Sequence, residues 1–205
     1  MLEVLRSRNN KDFYLFDPSI KGIHLKGGSS FVYKGFTFSS LKKKVPRGIS
    51  FQDLENCFLE KKIIPLFIEK LFFEEYENKG IGLIQLLYAL PLDFVAIKVL
   101  KKNLHNKEMY RLWENEIKFN IEHENLIKLY EAIDIDIKTQ NGTYPIRHLV
   151  TEWVDAPILS ESYSNINSFS EINTIFNQLL DGVESIHVRN KIHRDIKPDN
   201  IMFKK

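Results

Sequence analysis

Phe94–Leu100 reads Phe-Val-Ala-Ile-Lys-Val-Leu, one ammonium inside an otherwise apolar run of strand type. Its neighbours all favour burial, and a lysine carried inside with them is costly unless an anion meets it. Two folds satisfy that constraint. Either the run is an edge strand with Lys98 on its wet face, or the chain folds around something negatively charged that Lys98 reaches.

A second stretch bears on the choice. Ile192–Asn200 reads Ile-His-Arg-Asp-Ile-Lys-Pro-Asp-Asn and gathers a carboxylate (Asp195), an ammonium (Lys197) and a carboxamide (Asn200), with Pro198 stiffening the backbone between them. Any three polar residues after a helix are ordinarily a surface loop. The full string suits phosphoryl transfer instead: a carboxylate orients a hydroxyl and takes its proton, an ammonium balances charge, and an amide oxygen helps hold Mg²⁺. A long helix is expected to deliver this loop. It opens at the capping box Ser168-Phe-Ser-Glu171 and carries Ile172, Ile175, Phe176, Leu179, Leu180, Val183 and Ile186 as one broad apolar stripe. His187 and His193 lack a third ligand nearby in sequence, so both are read as packed, hydrogen-bonded residues rather than a metal site.

Ile192–Asn200 resembles the catalytic loop of the eukaryotic-type protein kinases, and Lys197 is the residue type of their serine/threonine group. Val95-Ala96-Ile97-Lys98 resembles the family's strand lysine motif. The resemblance implies an α+β, two-lobe fold: an antiparallel-sheet N-lobe with one main helix, then the first part of a helical C-lobe. It implies transfer of the ATP γ-phosphoryl to protein Ser/Thr hydroxyls, with ATP and Mg²⁺ as cofactors. In that reading Asp195 is the base, Lys197 the charge stabiliser, Asn200 a Mg²⁺ ligand and Lys98 the phosphate anchor. Glu114 is the partner of Lys98, with Glu116 the runner-up. Lys26-Gly-Gly-Ser-Ser30 resembles the glycine-rich loop, so Gly27, Gly28, Ser29, Ser30 and Val32 join Ala96 as nucleotide contacts; Leu25 and Ser30 stand where the family has glycine. Glu152-Trp-Val154 resembles the hinge, whose backbone at Glu152 and Val154 binds adenine beside Thr151. Lys118 falls where the family prefers an apolar residue.

The expected organisation is an extension over 1–19, an N-lobe over 20–154 and an incomplete C-lobe over 155–205. Residues 39–92 interrupt the N-lobe. Ser50 and Asp53 mark a helix start, with Phe51, Leu54 and Phe58 on one face; Pro65 opens a second helix with Leu66, Phe67, Leu71, Phe72 and Tyr76; Ile81–Leu90 suits a third. Three readings stay open for this insertion: a small helical layer packed on the N-lobe, a module that docks a protein partner, or a gene-prediction error. A helix is expected over Lys107–Glu122, capped by Asn106, with Glu114, Ile117 and Ile121 on one face. A strand over Leu126–Ile137 and a turn at Asn141-Gly142 lead to the return strand at His148–Thr151.

Composition closes off other classes. Net charge is +2, from 29 basic and 27 acidic residues, so no overall field favours nucleic acid or membrane surfaces. Lys42-Lys43-Lys44 reads as a solvated loop. Cys57 is the single cysteine, which fits a reducing compartment, and Met1–Asp12 has no signal-type apolar core. A soluble, cytoplasmic protein is the expectation. The family's Asp-Phe-Gly, activation segment and later helices have no counterpart before Lys205, so a truncated kinase with an exposed helix stripe and little turnover is expected. The alternatives are an inactive, pseudokinase-like or regulatory binding fragment, and a small-molecule phosphotransferase.

Overall fold

The computed structural model describes residues 2–9, 11–19, 30–60, 62, 64, 66–76, 82–100, 107–139, 142–166 and 168–203. It is α+β, and its chain divides into two compact units: Met1–Leu104 with Glu131–Val150, and His105–Tyr130 with Thr151–Lys205. No helix among the described residues is long and apolar enough to cross a membrane.

The first unit is organised by a six-stranded sheet in the order β1-β2-β3-β4-β6-β5. The strands are β1 (Glu3–Arg6), β2 (Phe13–Phe16), β3 (Ser30–Thr37), β4 (Phe94–Leu100), β5 (Leu129–Thr139) and β6 (Gly142–Glu152). Residues 1–19, expected as a polar extension, hold the β1–β2 hairpin, and β2 pairs antiparallel with β3 through Tyr14↔Thr37, Leu15↔Phe36 and Phe16↔Gly35. All of Phe13–Phe16 is buried, because both faces of this strand are covered. Tyr14 and Phe16 join Leu5, Val95, Ile97, Ile133 and Val150 in one core, and Phe13 and Leu15 face a second.

The sheet curls until its two edges meet. Glu131 of β5 accepts a hydrogen bond from the Tyr14 hydroxyl at 2.5 Å and from the Arg8 N–H at 3.0 Å. Gly35 allows the sheet to pack tightly in this curl: a Cβ there would stand 2.7 Å from Ile97 Cδ1 and 2.9 Å from the Leu15 carbonyl oxygen.

The second core is built by the helices between β3 and β4. Helices α1 (Phe38–Lys42), α2 (Phe51–Leu59), α3 (Leu66–Glu75) and α4 (Leu83–Ala89) lay Phe38, Leu41, Leu54, Phe58, Ile68, Phe72, Leu83, Leu86 and Leu87 over Phe13, Leu15 and Phe36 of the sheet. Each such side chain fully buried contributes about 1.5–3 kcal/mol. The starts of α1 and α2 follow from their caps: Thr37 Oγ1 accepts from the Ser40 N–H, and Ser50 Oγ from the Asp53 N–H. Phe38 stacks on Phe13 at 4.3 Å between ring centres. The segment is thus a layer packed on the sheet. Phe51 departs from its expected place: it is exposed, and Cys57 is buried beside Leu54 and Phe58.

In the second unit, α5 (Lys107–Lys118) ends four residues before the expected Glu122. The Phe119 and Asn120 N–H groups bond back only three residues, to the carbonyls of Glu116 and Ile117, which tightens the last turn and releases the chain. Ile121 is buried from beyond the helix, and so it shares no helical face with Glu114. After α6 (Leu159–Ser162) comes α7 (Phe169–His187), whose cap Ser168 Oγ accepts from the Glu171 N–H at 3.1 Å. Its stripe divides by exposure. Ile175 and Ile186 are buried, and Gly182 lies against the Asn125 backbone. Ile172, Phe176 and Leu180 are exposed, the last two at 59% each.

Candidate active site

The loop that follows α7 is held from both sides. On the helix side, the Arg189 guanidinium donates to the Ser185 carbonyl at 2.6 Å, and the Lys191 N–H returns to the Ile186 carbonyl. Lys191 also reaches the carbonyl of Lys118 through its ammonium. Asn190 takes a positive φ of 55°, which asparagine tolerates. On the far side, Ile158 pairs with Met202; the Leu159 N–H donates to the Ile201 carbonyl at 2.7 Å, and the Phe203 N–H to the Pro157 carbonyl at 3.2 Å. Nothing in the residue pattern of Pro157–Leu159 announces that short ribbon, because each partner is too brief to show alternation.

Between these supports, Arg194 has φ 67°, a left-handed conformation disfavoured for a residue with a long side chain. The turn aims Asp195 into a polar cluster. The Asn200 side-chain amide donates to Asp195 Oδ2 at 2.7 Å and to the Asp195 carbonyl at 2.8 Å. Lys197 Nζ lies 3.2 Å from Asp195 Oδ1. Pro198 begins a single 3-10 turn, Pro198–Asn200, that brings Asn200 back over Asp195. The hydrogen bond from Asn200, then that from Lys197, holds the Asp195 carboxyl below its ordinary value of 3.8. The His193 ring packs edge-on against Phe119 at 6.2 Å, and its Nδ1 accepts from the Asp195 N–H at 3.3 Å. His187, read from the sequence as packed, is exposed at the end of α7.

Of the sequence-selected residues in the first unit, three share one face of the sheet. The β3–β4 register sets Val32 opposite Lys98 and Lys34 opposite Ala96, and opposite residues of an antiparallel pair point the same way. All three, Val32, Ala96 and Lys98, are half-buried. Farther along that face, Phe36 and Phe94 meet the helical layer. Ser30 opens β3 opposite Leu100 and is buried. Gly27, Gly28 and Ser29 lie outside the described residues.

In the second unit Glu114 and Glu116 are exposed on α5, and Lys118 closes that helix, also exposed. Glu152, Trp153 and Val154 are half-buried, and the Glu152 N–H donates to the Lys128 carbonyl at 2.8 Å.

The donor set bears on what could bind. Asn200 uses its amide nitrogen on Asp195, which leaves its oxygen as the atom to offer a cation. Among the described residues no three His, Cys, Asp or Glu side chains cluster as metal ligands, and Asn200 would give a cation one oxygen ligand. Val32 and Ala96 give a small apolar platform, and Lys98 places an ammonium on the same side. Such a surface suits a flat ring joined to an anion.

Residues 87–205, more than half of the chain, match the family model described as the protein kinase domain. Calcium-dependent protein kinase 5 of Plasmodium falciparum is 34% identical over 111 residues, covering 53% of this chain and 18% of its own length. Cyclin-dependent kinase 12 of Drosophila melanogaster is 32% identical over 121 residues, 54% of this chain and 10% of that protein. Calcium/calmodulin-dependent protein kinase type II of Schizosaccharomyces pombe is 30% identical over 140 residues, 64% of this chain and 26% of that protein. The matched part thus spans between a tenth and about a quarter of these relatives' length.

Proposed function

The chain belongs to the protein kinase domain family, and from that membership we propose that it is part of a two-lobe serine/threonine kinase that binds Mg²⁺-ATP and directs its γ-phosphoryl to protein Ser/Thr hydroxyls. The observation that carries this reading is the Asp195 cluster. A carboxylate kept ionised, flanked by an ammonium at 3.2 Å and braced by an amide at 2.7 Å, is the equipment for orienting a hydroxyl and taking its proton.

Each residue then has a task. Asp195 accepts the hydrogen bond of the substrate hydroxyl and receives its proton. Lys197, beside it, stabilises negative charge as it develops. Asn200 offers its amide oxygen to Mg²⁺. Lys98 holds the phosphates, with Glu114 assigned as its partner by family resemblance. Val32 and Ala96 support the adenine, whose edge takes the backbone of Glu152 and Val154. Gly27, Gly28, Ser29 and Ser30 bring backbone N–H groups toward the phosphates. When bound, Mg²⁺-ATP supplies the transferable phosphoryl and the cation that screens it.

The test is nucleotide-induced thermal stabilisation, measured with and without Mg²⁺ and compared with Lys98→Met. Stabilisation by ATP that Mg²⁺ strengthens and Lys98→Met abolishes is the expected result. A response that Lys98→Met leaves intact would sink the assignment. The second reading, a regulatory module that binds without turnover, is favoured by Leu25 and Lys118 standing where the family has glycine and an apolar residue. It predicts nucleotide binding with no phosphate transfer to any Ser/Thr protein substrate.

A further inference from the structure

The β2–β3 ladder runs Tyr14↔Thr37, Leu15↔Phe36, Phe16↔Gly35. Continued by one rung it would set Asp17 against Lys34. A side chain from the helical layer stands there instead. The Tyr88 hydroxyl, from α4, accepts from the Asp17 N–H at 3.0 Å and donates to the Lys34 carbonyl at 2.8 Å. One hydroxyl therefore occupies the gap between two backbone groups that the next rung would bring together.

Its placement is over-determined. The Tyr88 ring lies parallel to Phe94 at 6.2 Å and edge-on to Phe36 at 5.6 Å. The Lys34 ammonium covers the Phe94 ring at 4.1 Å. Asp17 is itself buried, and its carboxylate closes a turn on Ser19, accepting from the N–H at 2.8 Å and from the hydroxyl at 2.6 Å. The wedge thus meets a rigid turn on one side and a strand on the other.

That strand matters for the reading proposed above. Lys34 lies opposite Ala96, and Val32, two residues before it, lies opposite Lys98. Resting on that reading of Val32, Ala96 and Lys98 as nucleotide contacts, we infer that Tyr88 is a positioning residue for ATP: by holding β2 and β3 apart at Asp17 and Lys34, it sets how β3 presents Ser30 to the phosphates. The inserted helices are in this way a working part of the nucleotide site, acting through one hydroxyl.

The experiment compares the full chain with Tyr88→Phe, which keeps the ring, and with Leu86→Ala, which weakens the same helix without touching the hydroxyl. ATP and adenosine affinities are measured for each with Mg²⁺ present, alongside amide exchange at Asp17. Tyr88→Phe is expected to weaken ATP by about 5-fold, the scale of one hydrogen bond, to leave adenosine unchanged, and to accelerate exchange at Asp17. Leu86→Ala is expected to lower thermal stability and leave the ratio of ATP to adenosine affinity as in the wild type. An unchanged ratio in Tyr88→Phe, or an equal change in Leu86→Ala, overturns the inference while nucleotide binding stands. A wild-type chain that binds neither ligand overturns the nucleotide reading, and this inference with it.

Discussion

Asn200 grips Asp195 twice, once at the carboxylate oxygen Oδ2 and once at the main-chain carbonyl, with one amide nitrogen at 2.7 and 2.8 Å. The side chain and backbone of Asp195 are therefore aligned by the same group, and Lys197 takes the other carboxylate oxygen.

Replacing Asn200 by alanine should raise the carboxyl pKa of Asp195 toward its ordinary 3.8, since the Asn200 hydrogen bond is the largest of the influences that lower it. Lys197→Ala should raise it too, by removing both a hydrogen bond and a neighbouring positive charge. Carboxyl-carbon NMR titration of the two variants reads this directly. An unmoved Asp195 in Asn200→Ala would show that the bond seen at 2.7 Å does not persist in solution.

Gly35→Ala should destabilise the first unit by about 1–3 kcal/mol, the usual range for overpacking. The added methyl would meet Ile97 Cδ1 at 2.7 Å and the Leu15 carbonyl oxygen at 2.9 Å. Adding Ile97→Val should recover only part of the loss, because the backbone oxygen cannot retreat as a side chain can. Urea denaturation of the single and double variants measures the difference.

Tyr88 makes stability depend on alkaline pH. Burial pushes its hydroxyl up from 10.0 to about 12, so the folded chain keeps a proton that the unfolded chain gives up. The neutral form's advantage is complete below pH 10 and is lost as pH rises through 12; a shift of this size corresponds to roughly 2–3 kcal/mol. In Tyr88→Phe the stability curve between pH 10 and 12 should be correspondingly flatter than in the wild type. Denaturant midpoints across that window decide it.

Ser168→Ala should cost about 1 kcal/mol by leaving the Glu171 N–H without its cap. Ser168→Asp, which can cap and also favours the helix N-terminus, should retain most of the stability. Circular dichroism melts of the two variants are sufficient.

What could be read beforehand was mostly local. The caps at Ser50 and Ser168, the helices of the inserted segment and the strand at Phe94–Leu100 each declare themselves within about ten residues, through a hydroxyl, a spacing or an apolar run. The hydrogen bonds from Asn200 to Asp195 lie within one turn, yet the residue pattern gives only the closeness of the two side chains and not their pairing. The misses came from distance. Phe13–Phe16 is buried on both faces, so it shows no alternation, and its place in the sheet depends on Thr37, Phe36 and Gly35 across a long connection. The Ile158↔Met202 ribbon is likewise set by a partner its own residues do not reveal. Spacing alone misplaces Phe51, which opens α2 and is exposed.

The tie from Tyr14 to Glu131 has a consequence for how the protein is born. At ribosomal speeds of about 5–20 residues per second, the 117 positions that separate them take roughly 6–23 s to emerge. The N-terminal hairpin must wait that long for its closing partner, and the residues from His105 to Tyr130, which belong to the other unit, come out in the meantime. The first unit to begin emerging is thus still incomplete when the second starts to appear, and in that interval Tyr14 and Phe16 pack without Ile133 and Val150.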